Sequence, residues 1–62
     1  MFIVVLSTNV GDSYLRNTVW TFAGARGRAQ EFATKEAAQA QLDKAKKFMK
    51  ASHYKMARIV EL

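Results

Sequence analysis

The stretch EFATKEAAQAQL, residues 31–42, decides the fold of this chain. Thr34 is placed as an N-cap, because its hydroxyl can accept from the free amides of a first helical turn. Glu36 then puts a negative charge where the helix dipole favours one. From Lys35 to about Ala51 there is neither Gly nor Pro, so a helix is predicted over 35–51. Ala38, Leu42, Ala45 and Met49 recur at helical spacing and form its buried stripe, which Phe48 widens on one side. Asp43 and Lys47 stand four apart in the favourable order for a pair on the helix surface.

Upstream, RAQEFA reads as a short third strand, with Arg28, Gln30 and Phe32 alternating against Ala29 and Glu31. GARG, whose glycines tolerate positive φ, is the loop before it. SYLRNTVWTFA is a second extended segment, with Trp20 and Phe22 on one face and both expected in the core. MFIVVLST is a first strand, apolar on both faces, and NVGD carries turn chemistry. Downstream, SHY interrupts the helical pattern and KMARIVEL closes the chain as a last strand. The expected fold class is α+β, order β-β-β-α-β: a three- to four-stranded, mostly antiparallel sheet packed on one helix, one domain over 1–62. A return through the helix is expected to set the last strand beside the first and parallel to it.

At 62 residues the core is small, and no Cys is present to staple it. No membrane span or leader is expected of Phe2–Leu6, which is too short an apolar run. The expected location is the cytoplasm. The net charge is +5, and the six basic residues from Lys44 to Arg58 include no acid between them. Such a field favours polyanions or acidic protein surfaces.

Titratable groups for catalysis are sparse. His53 has its nearest acid in sequence well removed, the serines lack a nucleophile-elbow context, and no acids have metal-ligand spacing. GARGRA lacks the lysine and hydroxyl that follow the glycines of a phosphate loop. The chain is therefore expected to be no enzyme and to need no cofactor or metal; a small enzyme or toxin would require an acidic neighbour for His53 in a pocket. The candidate contact residues for a partner or a nucleic acid are Arg16, Arg26, Arg28, Lys35, Phe48 and Tyr54. Trp20 and Tyr14 are candidate stacking faces beside the arginines. The helix lysines span a wide arc that also holds Glu36 and Asp43, as an ordinary solvated face does.

Two resemblances rest on these motifs. VWTFA followed by RAQEFATKEAAQAQLDKA resembles the arm-type DNA-binding domain of phage integrases, in which a three-stranded sheet packed on a helix enters the groove. That resemblance implies that Arg16, Arg26 and Arg28 face DNA, with Lys35 near a phosphate. The terminal MARIVEL and the strongly apolar first strand depart from that pattern. Over nearly the whole chain, the apolar opening strand, YL, EFATKEAA and ARIVEL are similar to small phage-encoded proteins of strand-strand-helix-strand type. Such proteins are often accessory factors that bind and inhibit a host protein. The expected function is accordingly a small non-enzymatic binding protein that docks to a host protein of nucleic-acid handling or defence, in the host cytoplasm. The alternative is direct DNA or RNA binding through the sheet and the GARGR loop. An edge strand also offers a route to a homodimer.

Overall fold

A computed structural model describes every residue from Met1 to Leu62. Strand β1 (Phe2–Thr8) is the centre of a four-stranded sheet. Strand β2 (Gly11–Arg16) returns beside it through a tight hairpin at Asn9 and Val10, pairing Val5 with Tyr14 and Thr8 with Gly11. Gly11 sits at φ +123, a backbone state closed to most side chains, so the glycine of NVGD is what lets this turn close.

A second hairpin leads to the short strand β3 (Val19–Trp20), with Arg16 opposite Val19. Its turn holds Asn17 at φ 58, in the left-handed region that Asn tolerates better than most residues. Both polar groups of the Asn17 backbone are taken by distant glutamines. Its N–H donates to Gln30 Oε1 at 2.7 Å, and its carbonyl accepts from Gln41 Nε2 at 2.6 Å. The Gln41 bond ties the hairpin to the helical layer and the Gln30 bond ties it to the segment leading into Phe32, each neutral bond contributing about 1 kcal/mol net. Gln41→Ala should therefore lower the urea midpoint, by about 1 kcal/mol in stability. Asn17→Gly should leave it nearly unchanged, because the clamped groups belong to the backbone. Equal losses from both substitutions would contradict the clamp.

The segment RAQEF departs from its expected strand. Arg26–Arg28 form a single 3₁₀ turn, and only Phe32 pairs, as an isolated antiparallel bridge to Phe2. The bridge has two bonds of 2.8 Å, one in each direction between the Phe2 and Phe32 backbones. The pairing of β2 with β1 ends at Tyr14, opposite Val5, the Leu15 carbonyl accepts from the Gln30 amide at 3.3 Å, and Phe32 takes the place beside Phe2 that this leaves open.

Helix α1 (Lys35–Ala45) begins as expected, with Thr34 Oγ1 accepting from the Ala37 amide at 3.1 Å. Its end differs from the expectation. The chain tightens to a 3₁₀ turn over Lys46–Phe48, straightens at Met49 and Lys50, and forms a second short helix, α2 (Ala51–Met56). SHY lies inside α2 rather than breaking a helix. A straight helix over 35–51 would measure about 25 Å at 1.5 Å per residue, nearly the 28 Å length of the molecule. The chain instead has to turn back onto the sheet to deliver its last strand.

That strand, β4 (Arg58–Glu61), lies beside β1 as expected but runs antiparallel to it, with Ile3 opposite Val60 and Val5 opposite Arg58. The expected parallel pairing is overturned because the helical crossover starts from Phe32, not from β1. Phe32 already runs antiparallel to β1, on the side opposite β4, so the crossover spans β1 and joins two segments of like direction. This is the connectivity of a split βαβ unit.

The helices cover one face of the sheet. Val4, Leu15, Phe32, Ala38, Leu42 and Ala45 form the core there, with Phe2, Trp20, Met49, Tyr54 and Ile59 packed around it. Met49 thus contributes from the rim of the stripe rather than from its centre. The second face holds a smaller cluster of Ile3, Val5 and Tyr14 with Ala29 and Val60. Residues Ile3 to Leu6 are each 3% exposed or less, so β1 is buried on both faces.

Tyr54 fastens α2 to α1. Its hydroxyl donates to Asp43 Oδ1 at 2.5 Å, and Gln39 Nε2 donates to the same oxygen at 2.9 Å. Asp43 is thus engaged by Tyr54 and Gln39, with Lys46 rather than Lys47 as the cation that favours its charge. The Tyr54 bond, then the Gln39 bond, hold the Asp43 carboxyl below its usual range, while the bond to Asp43 raises the Tyr54 phenol. The depressed carboxyl contributes stability above its unfolded value, lost as pH falls through the folded one. The raised phenol contributes stability below its unfolded value, lost as pH rises through the folded one. Tyr54→Phe should therefore be less stable than the parent at neutral pH, with the difference closing as acid protonates Asp43. Urea titrations of both proteins across the acid range test this, and a pH-independent difference would contradict it.

Candidate binding surface

Strand alternation sorts the charged side chains. From the pairing register, Ile3, Val5, Ser7, Asp12, Tyr14, Arg16, Val19, Arg58 and Val60 share the face turned away from the helices. The chain from Thr21 to Gln30 crosses this face. Thr21 Oγ1 accepts from the Tyr14 amide at 2.9 Å and the Gly24 amide donates to the Asp12 carbonyl at 2.9 Å, so the segment is bound along the outside of β2. Ala25 is buried by this crossing, and Ala29 packs against Ile3, Val5 and Tyr14.

The crossing brings Arg26 to Arg58, a residue from the opposite end of the sequence. Together with Asp12 they rim a shallow groove of about 220 Å³ whose other walls are Ile3, Val5, Tyr14 and Val60. Arg58 is held in place by Nη1 donating to Ser7 Oγ at 2.5 Å. A neighbouring hollow of about 440 Å³ is lined by Arg16, Asn17, Ala29 and Gln30. Arg28 is exposed on the same 3₁₀ turn as Arg26 and lines neither hollow. All four arginines of the chain thus lie in the sheet or in the segment crossing it. All six lysines lie in the helical part, from Lys35 to Lys55.

Of the expected contact residues, Arg16, Arg26 and Arg28 are brought to the sheet side. Lys35 is exposed in the first turn of α1, in the other layer. Phe48 is also in that layer, 62% exposed, with Lys47 Nζ 5.3 Å from its ring centre. Tyr54 is half-buried against the helix-side core, bonded to Asp43, with Lys46 Nζ 4.8 Å from its ring centre. Tyr14, 8% exposed, packs beside Ile3 and Val5 in a wall of the groove, and Trp20 is partly buried against the helix-side core.

Two surface residues escaped sequence reasoning. Arg58 was visible only as one of many basic residues, although its alternation with Ile59 in ARIVEL puts it on the face of Val60. Phe22, expected in the core with Trp20, is 70% exposed. The alternation fails after Trp20 because the Thr21 side chain, rather than a backbone carbonyl, takes the Tyr14 amide.

His53 lies on α2 in a cleft formed with Leu6, Ser7, Thr8, Asn9, Ser52 and Met56, none of which is acidic. No three His, Asp or Glu side chains gather in a group able to hold a metal, and no helix is long and apolar enough to cross a membrane. No protein-family model, curated protein or solved structure matches the chain.

Proposed function

We propose that this protein is a small non-enzymatic binding protein that docks, through its arginine-bearing sheet side, onto an acidic surface of another protein and modulates that protein. The supporting observation is the groove in which Arg26 and Arg58, from distant parts of the chain, flank apolar walls on one exposed face. Arginines beside apolar surface are the composition that interface centres favour. The likeness to phage accessory proteins supports a host protein as the target, and the net charge of +5 supports one of nucleic-acid handling or defence with an acidic surface. Affinity capture from bacterial lysate, with and without nuclease, tests the reading. One dominant protein that survives nuclease is expected; material that disappears with nuclease would overturn it.

Direct nucleic-acid binding is the second reading, favoured by Phe22, an exposed aromatic on the same segment as Arg26 and Arg28. It requires retention on heparin and an affinity for DNA or RNA that falls steeply with salt. A titration at low salt without any shift would remove it.

A further inference from the structure

We propose that the open edge of β4 receives an extended acidic segment of the partner protein as a fifth strand. This inference rests on the docking reading and specifies how the docking is made.

The register determines which backbone groups of β4 are free. Phe2 directs both its N–H and its carbonyl to Phe32, on the β2 side of β1. In an antiparallel ladder successive residues point their polar groups to alternate sides. Ile3 and Val5 therefore face β4, where their partners are Val60 and Arg58, and the Leu62 amide continues the ladder by donating to the Met1 carbonyl at 2.7 Å. Arg58, Val60 and Leu62 thus bond inward, while Ile59 and Glu61 present their amides and carbonyls outward. β4 is the last strand of the sheet, so nothing pairs with that side. An unpaired strand edge is a template for an added strand, main-chain bonds supplying affinity and alternate side chains supplying selectivity.

Charge selects the occupant. A fifth strand would lay every second side chain along Arg58 and Val60, next to the groove that Arg26 also rims. Acidic residues at those positions would meet the arginines. A second copy fits less well. Both copies carry +5, and pairing through the outward-facing Ile59 and Glu61 sets Arg58 opposite Val60 or Leu62 of the other copy. It never meets Glu61, which lies on the other face.

The test is selection of displayed random short peptides on the immobilised protein. The selected peptides should alternate acidic with β-branched residues. They should bind about tenfold more weakly to Glu61→Pro, which removes one outward amide and no internal bond. Arg58→Glu should show a comparable loss while leaving the edge backbone intact, and peptide binding should slow hydrogen exchange at Ile59 and Glu61. Acidic peptides whose binding ignores both substitutions would overturn the edge inference and leave the docking reading standing. Enrichment of peptides without acidic residues would overturn both. Concentration-dependent dimerisation abolished by Glu61→Pro would assign the edge to a second copy and overturn the proposal.

Discussion

Leu15→Ala is expected to lower the melting temperature by about 15–25 °C and to leave a large fraction of the chain unfolded in mild denaturant. Leu15 is fully buried on the helix-facing side of β2, in the cluster that also holds Val4, Leu42 and Ala45. Truncating such a leucine costs about 2–5 kcal/mol, since the lost transfer energy is compounded by the cavity left behind. A chain of this length has a total margin of roughly 3–9 kcal/mol, and each kcal/mol moves the midpoint by about 4–8 °C in domains this small. Of the three buried positions of α1 only Leu42 carries a long side chain, and the methyl groups of Ala38 and Ala45 cannot reach into a void. Leu62→Ala, at a site 50% exposed, is the control and should shift the midpoint by only a few degrees. Thermal melts followed by circular dichroism decide the matter. A shift below about 5 °C for Leu15→Ala would mean that the strand–helix core is not what holds the fold.

Arg26→Glu combined with Arg58→Glu is expected to reduce capture of the protein partner by about a hundredfold or more, with little change in melting temperature. Both side chains are solvent-exposed, so the fold loses little beyond the Arg58–Ser7 bond. The partner instead meets two acids where two guanidinium groups stood, and like charges brought together at an interface cost several kcal/mol. Lys46→Glu with Lys47→Glu changes the net charge equally but in the helical layer. That pair should weaken capture only slightly, through loss of long-range attraction. Quantitative capture of the same partner by both double variants at one ionic strength separates a local site from a global field. Equal losses would show that net charge, not the groove, does the recruiting.

The legibility of this fold in its sequence differs from element to element. The N-cap at Thr34, the stripe Ala38–Leu42–Ala45, the doubly buried β1 and the NVGD turn were readable, because each follows from interactions within a few residues or from a period of the chain. The third strand and the direction of the last strand were not. RAQEF alternates like a strand, yet only Phe32 pairs, because the neighbouring stretch of β1 is already paired with β2, from Thr8 back to Val5 opposite Tyr14. The surface followed the same division. Arg16, Arg26 and Arg28 were identifiable as exposed cations on strand and loop, whereas Arg58 joined them only through strand order.

By itself, then, the sequence determined the class of the fold, the start and buried face of the helix, the central strand and the excess of positive charge. These depend on local propensity and hydrophobic period, which short stretches carry within themselves. Tertiary structure alone decided that the crossover runs from Phe32 to β4, that α1 stops at Ala45, and that Phe22 points to solvent. It also decided that arginines from two ends of the chain share one groove. Those outcomes depend on which strand edges are already occupied, and occupancy of an edge is a property of the assembled sheet rather than of any segment in it.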